Sequence, residues 1–154
     1  MRTIELQLAC PLASVPSPNE LESWIASVTQ ALELSGDVCV RVVDEQEGSS
    51  LNARYRDRPD PTNVLSFPME LPPGVEAAVL GDLAICAPVV EREAQEQGKD
   101  VKAHWAHMVV HGILHLAGHG HETEAQAQAM EALEVQLLGA MGFSNPYQLP
   151  CSNG

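Results

Sequence analysis

At 154 residues the chain has the length of one domain, and 45% hydrophobic against 19% charged residues excludes intrinsic disorder. Its 8 Lys+Arg and 21 Asp+Glu give a formal charge of −13, which argues against nonspecific nucleic-acid binding but leaves room for a local basic site. The longest apolar-looking stretch, Trp105 to Ala117, is interrupted by His107, His111 and His115 and is too short to span a bilayer, which takes about 20 residues.

Thr3 to Ala9 alternates apolar and polar residues, as a half-buried strand does. Pro11 to Pro18 reads as a loop. Asn19 is placed to cap a helix carrying Leu21, Trp24, Ile25, Val28 and Leu32, which Gly36 ends. Val38 to Val43 is β-branched and reads as a second strand. Glu47 to Ser50 is polar, and Ser50 is expected to cap a short helix through Leu51 and Tyr55. Asp57-Arg58-Pro59-Asp60-Pro61 must be irregular. Val64 to Phe67 is a brief strand limited by Pro68, and Pro72-Pro73-Gly74 a turn. Val79 to Cys86 is a further strand whose Gly81-Asp82 marks a bulge or close approach. Pro88 opens a helix that runs to Gly98. Lys102 to Ala117 is an apolar helix studded with histidines and stopped by Gly118 and Gly120. Thr123 caps the last helix, with Ala127, Met130, Leu133, Leu137 and Leu138 as its apolar face and its many acids as a solvated one. Strands and helices mix without strict βαβ alternation, so the expected class is α+β, with residues 1–154 as a single domain. Cys10, Cys39, Cys86 and Cys151 show no CxxC spacing, and the first residues, with Glu5 close behind Arg2, are not expected to form a signal peptide. The cysteines are expected to be reduced, mostly buried thiols of a cytoplasmic protein.

The segment that carries chemistry is His111-Gly-Ile-Leu-His115-Leu-Ala-Gly118-His119-Gly120-His121. Residues four apart share one helix face, so His111 and His115 can present two imidazoles to one ion. Gly118 permits the chain to turn back, and His121 can then reach the same ion. Three imidazoles leave a fourth tetrahedral position for water, the arrangement of a catalytic site. One ion per chain is expected; zinc suits these ligands, as do copper, iron and nickel. His104 and His107, on the same stripe, read as buried or outer hydrogen-bonding residues, and His119 as a residue that points away from the ion. Metzincin proteases share the HxxxHxxGxxH spacing, but they place a general-base Glu directly after the first His, where this chain has Gly112.

The chain resembles the YbeY family of bacterial endoribonucleases, with its gammaproteobacterial members nearest in character. The likeness rests on Leu51-Asn-Ala-Arg-Tyr55-Arg56, Pro61-Thr-Asn-Val-Leu-Ser-Phe-Pro68, Gly81-Asp-Leu-Ala-Ile-Cys86, the histidine motif, Met130-Glu-Ala-Leu-Glu and Gly142-Phe-Ser-Asn-Pro-Tyr147. The resemblance implies a mixed, mostly four-stranded sheet with a metal cleft beside the histidine helix. It implies His111, His115 and His121 as metal ligands and Arg56 as the functional arginine. It further implies a zinc-dependent, single-strand-specific endoribonuclease that matures small-subunit (16S) ribosomal RNA, serves ribosome quality control and has the small ribosomal subunit as partner, with neither membrane nor DNA expected. The alternatives are a generic zinc hydrolase of peptides or phosphoesters, and a ribosome-assembly factor with a mainly structural metal. The family's Tyr-Asp pair is replaced here by His119-Gly120, so an outer carboxylate for the ligand histidines has to come from elsewhere. Asp82 is the leading carboxylate candidate, and a backbone carbonyl the plainer alternative that ranks ahead of it.

Overall fold

The structure, a computed structural model, describes residues 4–8, 15–33, 37–56, 64–68, 79–117 and 123–143. Four strands form one sheet in the order β1-β2-β4-β3: β1 Ile4–Leu8, β2 Asp37–Val43, β3 Val64–Pro68 and β4 Val79–Cys86. β1, β2 and β4 run parallel, and β3 pairs antiparallel with β4, so the sheet is mixed as expected. Val38, Val40 and Val42 of β2 and Leu83 and Ile85 of β4 are buried at alternate positions, so these residues turn one face of the sheet to the core, while Cys39 and Arg41 between them are half-buried and Asp82 is exposed. The expected irregularity at Gly81 is present: Asp37 faces Val79 but Val38 faces Gly81, so β4 carries one extra residue, and Gly81 has φ 150°.

Helix α1 spans Pro18–Ala31. Its cap is Ser17, two residues before the expected Asn19. Ser17 Oγ accepts from the Glu20 N–H at 3.2 Å and the Ser17 N–H donates to Glu20 Oε1 at 3.2 Å. A capping box with Pro in the first turn satisfies two otherwise orphaned donors, which Asn19 alone would not. Lys102 lies 2.7 Å from the other Glu20 oxygen and holds that carboxyl below the usual glutamate range.

Helix α2, Glu45–Arg56, starts earlier than Ser50. Asp44 is its anchor: the Glu47 N–H donates to Asp44 Oδ1 at 2.8 Å, and Glu45 and Glu47 favour the positive end of the helix dipole. Helix α3 spans Ala87–Gln97 and ends, as expected, on Gly98 in the left-handed conformation at φ 66°.

Helix α4, Val101–Leu116, packs on α1, α3, β3 and β4, and on α5, Glu124–Ala140. That central place explains why it is apolar almost all round. Trp105, Ala106, Val109, Val110, Ile113 and Leu114 are fully buried. Thr123 caps α5 as expected, in a capping box with Gln126. Cys86 is buried and Cys39 half-buried, while Cys10 and Cys151 lie outside the described residues. Among the described residues no helix is long and apolar enough to cross a membrane.

Candidate metal centre

The histidines of α4 form a row on one side of the helix. Successive ring centroids lie 6.2 Å apart from His104 to His107, 6.2 Å from His107 to His111, and 4.5 Å from His111 to His115. The first two are buried, and His104 Nε2 meets Glu93 Oε1 at 3.0 Å. Both lie in the interior; His104 is hydrogen-bonded there, as the sequence implied, and His107 Nε2 lies 3.3 Å from Glu134 Oε2.

His111 and His115 are only partly covered, and they converge: their Nε2 atoms are 3.0 Å apart. Two nitrogens bound about 2.0–2.1 Å from one tetrahedral ion would stand about 3.3 Å apart. The pair is therefore within a few tenths of an ångström of the spacing a shared ion needs, on neighbouring turns of a rigid helix.

Behind the pair stands a carboxylate that the sequence reading placed in solvent. Glu134 of α5 has a side chain only 1% exposed, and its Oε2 lies 2.7 Å from His111 Nδ1 and 3.3 Å from His107 Nε2. Asp82, the expected outer carboxylate, is instead exposed on β4, opposite Cys39 and Phe67 in the sheet. The reason is geometric. α4 lies with its Gly112 side on the sheet, so its His107–His111 side turns to α5.

His107, His111 and Glu134 offer ligand atoms all within 4.8 Å of one another, a second grouping able to hold a metal. Within it, His111 and Glu134 are in hydrogen-bond contact at 2.7 Å, farther from the tetrahedral ligand spacing than the 3.0 Å contact between the Nε2 atoms of His111 and His115. Its other members are sealed from solvent, with side chains of His107 and Glu134 only 8% and 1% exposed. The reachable edge of the cluster is His111, at 25%, and beside it His115. Of the other expected site residues, His121 lies outside the described residues, as do His119 and Gly120. Arg56 is the last residue of α2, and its side chain lies outside the described residues too.

Gly112 faces the sheet. A Cβ there would come within 2.8 Å of Leu83 Cδ2, 3.1 Å of Leu83 Cδ1 and 3.3 Å of Val64 Cγ2. Gly112 carries no side chain, so the position that holds the metzincin general base supplies none here, and a Cβ there would be directed at Leu83. Gly112→Ala is expected to destabilise the fold. Overpacking against buried Leu83 costs about 1–3 kcal/mol, while alanine returns up to about 1 kcal/mol of helix propensity. A lowered urea midpoint at unchanged slope would show it, and an equal or raised midpoint would contradict it.

Comparison with known proteins agrees with this architecture. The solution structure of TM1509 from Thermotoga maritima is similar at a TM-score of 0.60 and 26% sequence identity, with 96% of this chain and 99% of that chain covered. The model of the family described as endoribonuclease YbeY matches residues 13–142, an interval that contains every strand from β2 onward, all the helices, the histidine row and Glu134. The chain belongs to the YbeY endoribonuclease family.

Proposed function

We propose that this chain, as one metal-hydrolase domain over residues 1–154, is a cytoplasmic, single-strand-specific endoribonuclease. Its task in this reading is maturation of 16S ribosomal RNA and ribosome quality control, on the small ribosomal subunit. The observation that carries the reading is the His111–His115 pair, its Nε2 atoms 3.0 Å apart and backed by buried Glu134. His111 and His115 would hold one ion, zinc in this proposal, with His121 as third ligand.

When bound, such a metal supplies Lewis acidity, acidifying water and drawing charge from a phosphate oxygen. The chain's own groups do the rest. Glu134 holds the His111 ring in place, and the half-covered His111 and His115 leave the ion side open to an RNA strand. The Arg56 guanidinium offers planar paired donors to the phosphate oxygens as charge builds on them. The chain's −13 charge repels RNA in general, so productive binding must be local or partner-guided, which suits action on a ribosomal subunit. Gly112, turned to the sheet, argues against peptide hydrolysis.

The test is incubation of the purified chain with single-stranded RNA, duplex RNA and casein, with and without a chelator, beside His115→Ala prepared in the same way. The expected result is cleavage of single-stranded RNA alone, abolished by chelator, restored by zinc and absent from the variant. Cutting of casein, or cleavage by His115→Ala at the parent's rate, would overturn the reading.

A further inference from the structure

We propose that Glu134 is a positioning residue that fixes the tautomer of His111 and so aims its Nε2 lone pair at the ion shared with His115; the metal half of this rests on the reading above.

Glu134 stands four residues after Met130 and three before Leu137, on the buried side of α5. An ionised carboxylate in that place is costly unless it is hydrogen-bonded. Its oxygen meets two imidazoles of α4, His111 Nδ1 at 2.7 Å and His107 Nε2 at 3.3 Å. An ionised carboxylate only accepts, so the nitrogen facing it must carry a proton. His111 therefore donates through Nδ1–H. In a neutral ring that leaves the lone pair on Nε2, the atom 3.0 Å from His115 Nε2. Without Glu134, either ring nitrogen of His111 can hold the proton, and the rings protonated on Nε2 would point an N–H at the ion. The carboxylate also stops rotation of the ring. His107 Nε2, buried, lies 3.3 Å from the same oxygen.

Two variants and two readouts test this. Nitrogen-15 NMR of the histidines in the metal-free chain reports the tautomer of His111, and competition with a chromophoric chelator reports Zn2+ affinity. The parent should show His111 protonated on Nδ1. Glu134→Ala should lose the single tautomer and bind Zn2+ about 10–100-fold more weakly, the usual loss for an outer partner of a ligand histidine. Glu134→Gln keeps an acceptor oxygen but not the charge. It should keep the tautomer and lose roughly ten-fold in affinity. Should the alanine variant fail to fold by circular dichroism, the glutamine variant decides. His111 protonated on Nε2 in the parent, or folded Glu134 variants that bind Zn2+ as tightly as the parent, would overturn the proposal. Failure of the metal reading looks different: the parent takes up no Zn2+, or His115→Ala takes it up equally well. The tautomer measurement then still judges Glu134 on its own.

Discussion

His115→Ala is expected to melt close to the parent, whereas His111→Ala is expected to melt several degrees lower, although both variants should lose the metal of the proposed centre. The two residues sit on the same face of α4 and look equivalent in sequence, but they stand against different partners. His115 is half-covered, and alanine regains helix propensity where the imidazole is lost. His111 donates to Glu134, whose side chain is 1% exposed. Removing that donor takes from a buried carboxylate its short imidazole contact; among the described residues His107 stands at the longer distance of 3.3 Å. A buried acceptor stripped of one partner costs about 1–3 kcal/mol. In a chain of this size that is roughly 2–4 °C in Tm for each kcal/mol. Loss of a direct ligand should weaken Zn2+ binding in both variants beyond the about 10–100-fold typical of losing an outer partner. Thermal melts of the metal-free proteins, with chelator competition for the metal, separate the two effects. Equal melting temperatures for the two variants would mean that Glu134 does not depend on His111.

That asymmetry also marks what the sequence could and could not disclose. Periodicity located the strands and helices because each rests on local signals: the β-branched run of β2, Gly98 after α3, Thr123 before α5. Where two local signals competed, the richer one prevailed, as Ser17 with Pro18 and Glu20 did over Asn19. The histidine pair was legible for the same reason, since a spacing of four is a property of one helix. Glu134 was not. Its partner His111 is 23 residues away on another helix, and a glutamate in an acid-rich helix looks solvated. One signal was present: the residue falls in register with Met130, Leu137 and Leu138, so a charge stands on the stripe that faces the core. A carboxylate on an apolar stripe, in a chain with a row of histidines, is a cue for a buried ion or hydrogen-bond pair. The order β1-β2-β4-β3 was beyond local reading, because strand pairing is decided by contacts distant in sequence.

Arg56→Ala is expected to keep fold and Zn2+ content and to lose about 10²–10³-fold in the rate of RNA cleavage, the usual effect of removing one preorganised donor from a developing oxyanion. The residue closes α2, immediately before Asp57 and the Pro59-Asp60-Pro61 stretch that cannot continue a helix. In this reading the guanidinium serves phosphate and not the core, so the loss should fall on chemistry and not on stability. Charge accumulates on the phosphate oxygens as the nucleophile attacks, and a donor aimed at them is worth more in the transition state than in the ground state. The loss should then appear mainly in kcat, with KM nearly unchanged. Arg56→Lys retains the charge but not the planar fork, and is expected to recover only part of the rate. Arg56→Glu should be worse than alanine, because it adds repulsion to a chain that already carries −13. Single-turnover cleavage of a short single-stranded RNA by metal-loaded variants, with Zn2+ content measured on the same samples, gives the order parent, Lys, Ala, Glu. If Arg56→Glu with full metal content cleaves as the parent does, the guanidinium takes no part in the reaction, and the His111–His115 centre must draw its phosphate contacts from Arg54, Arg58 or the ion alone.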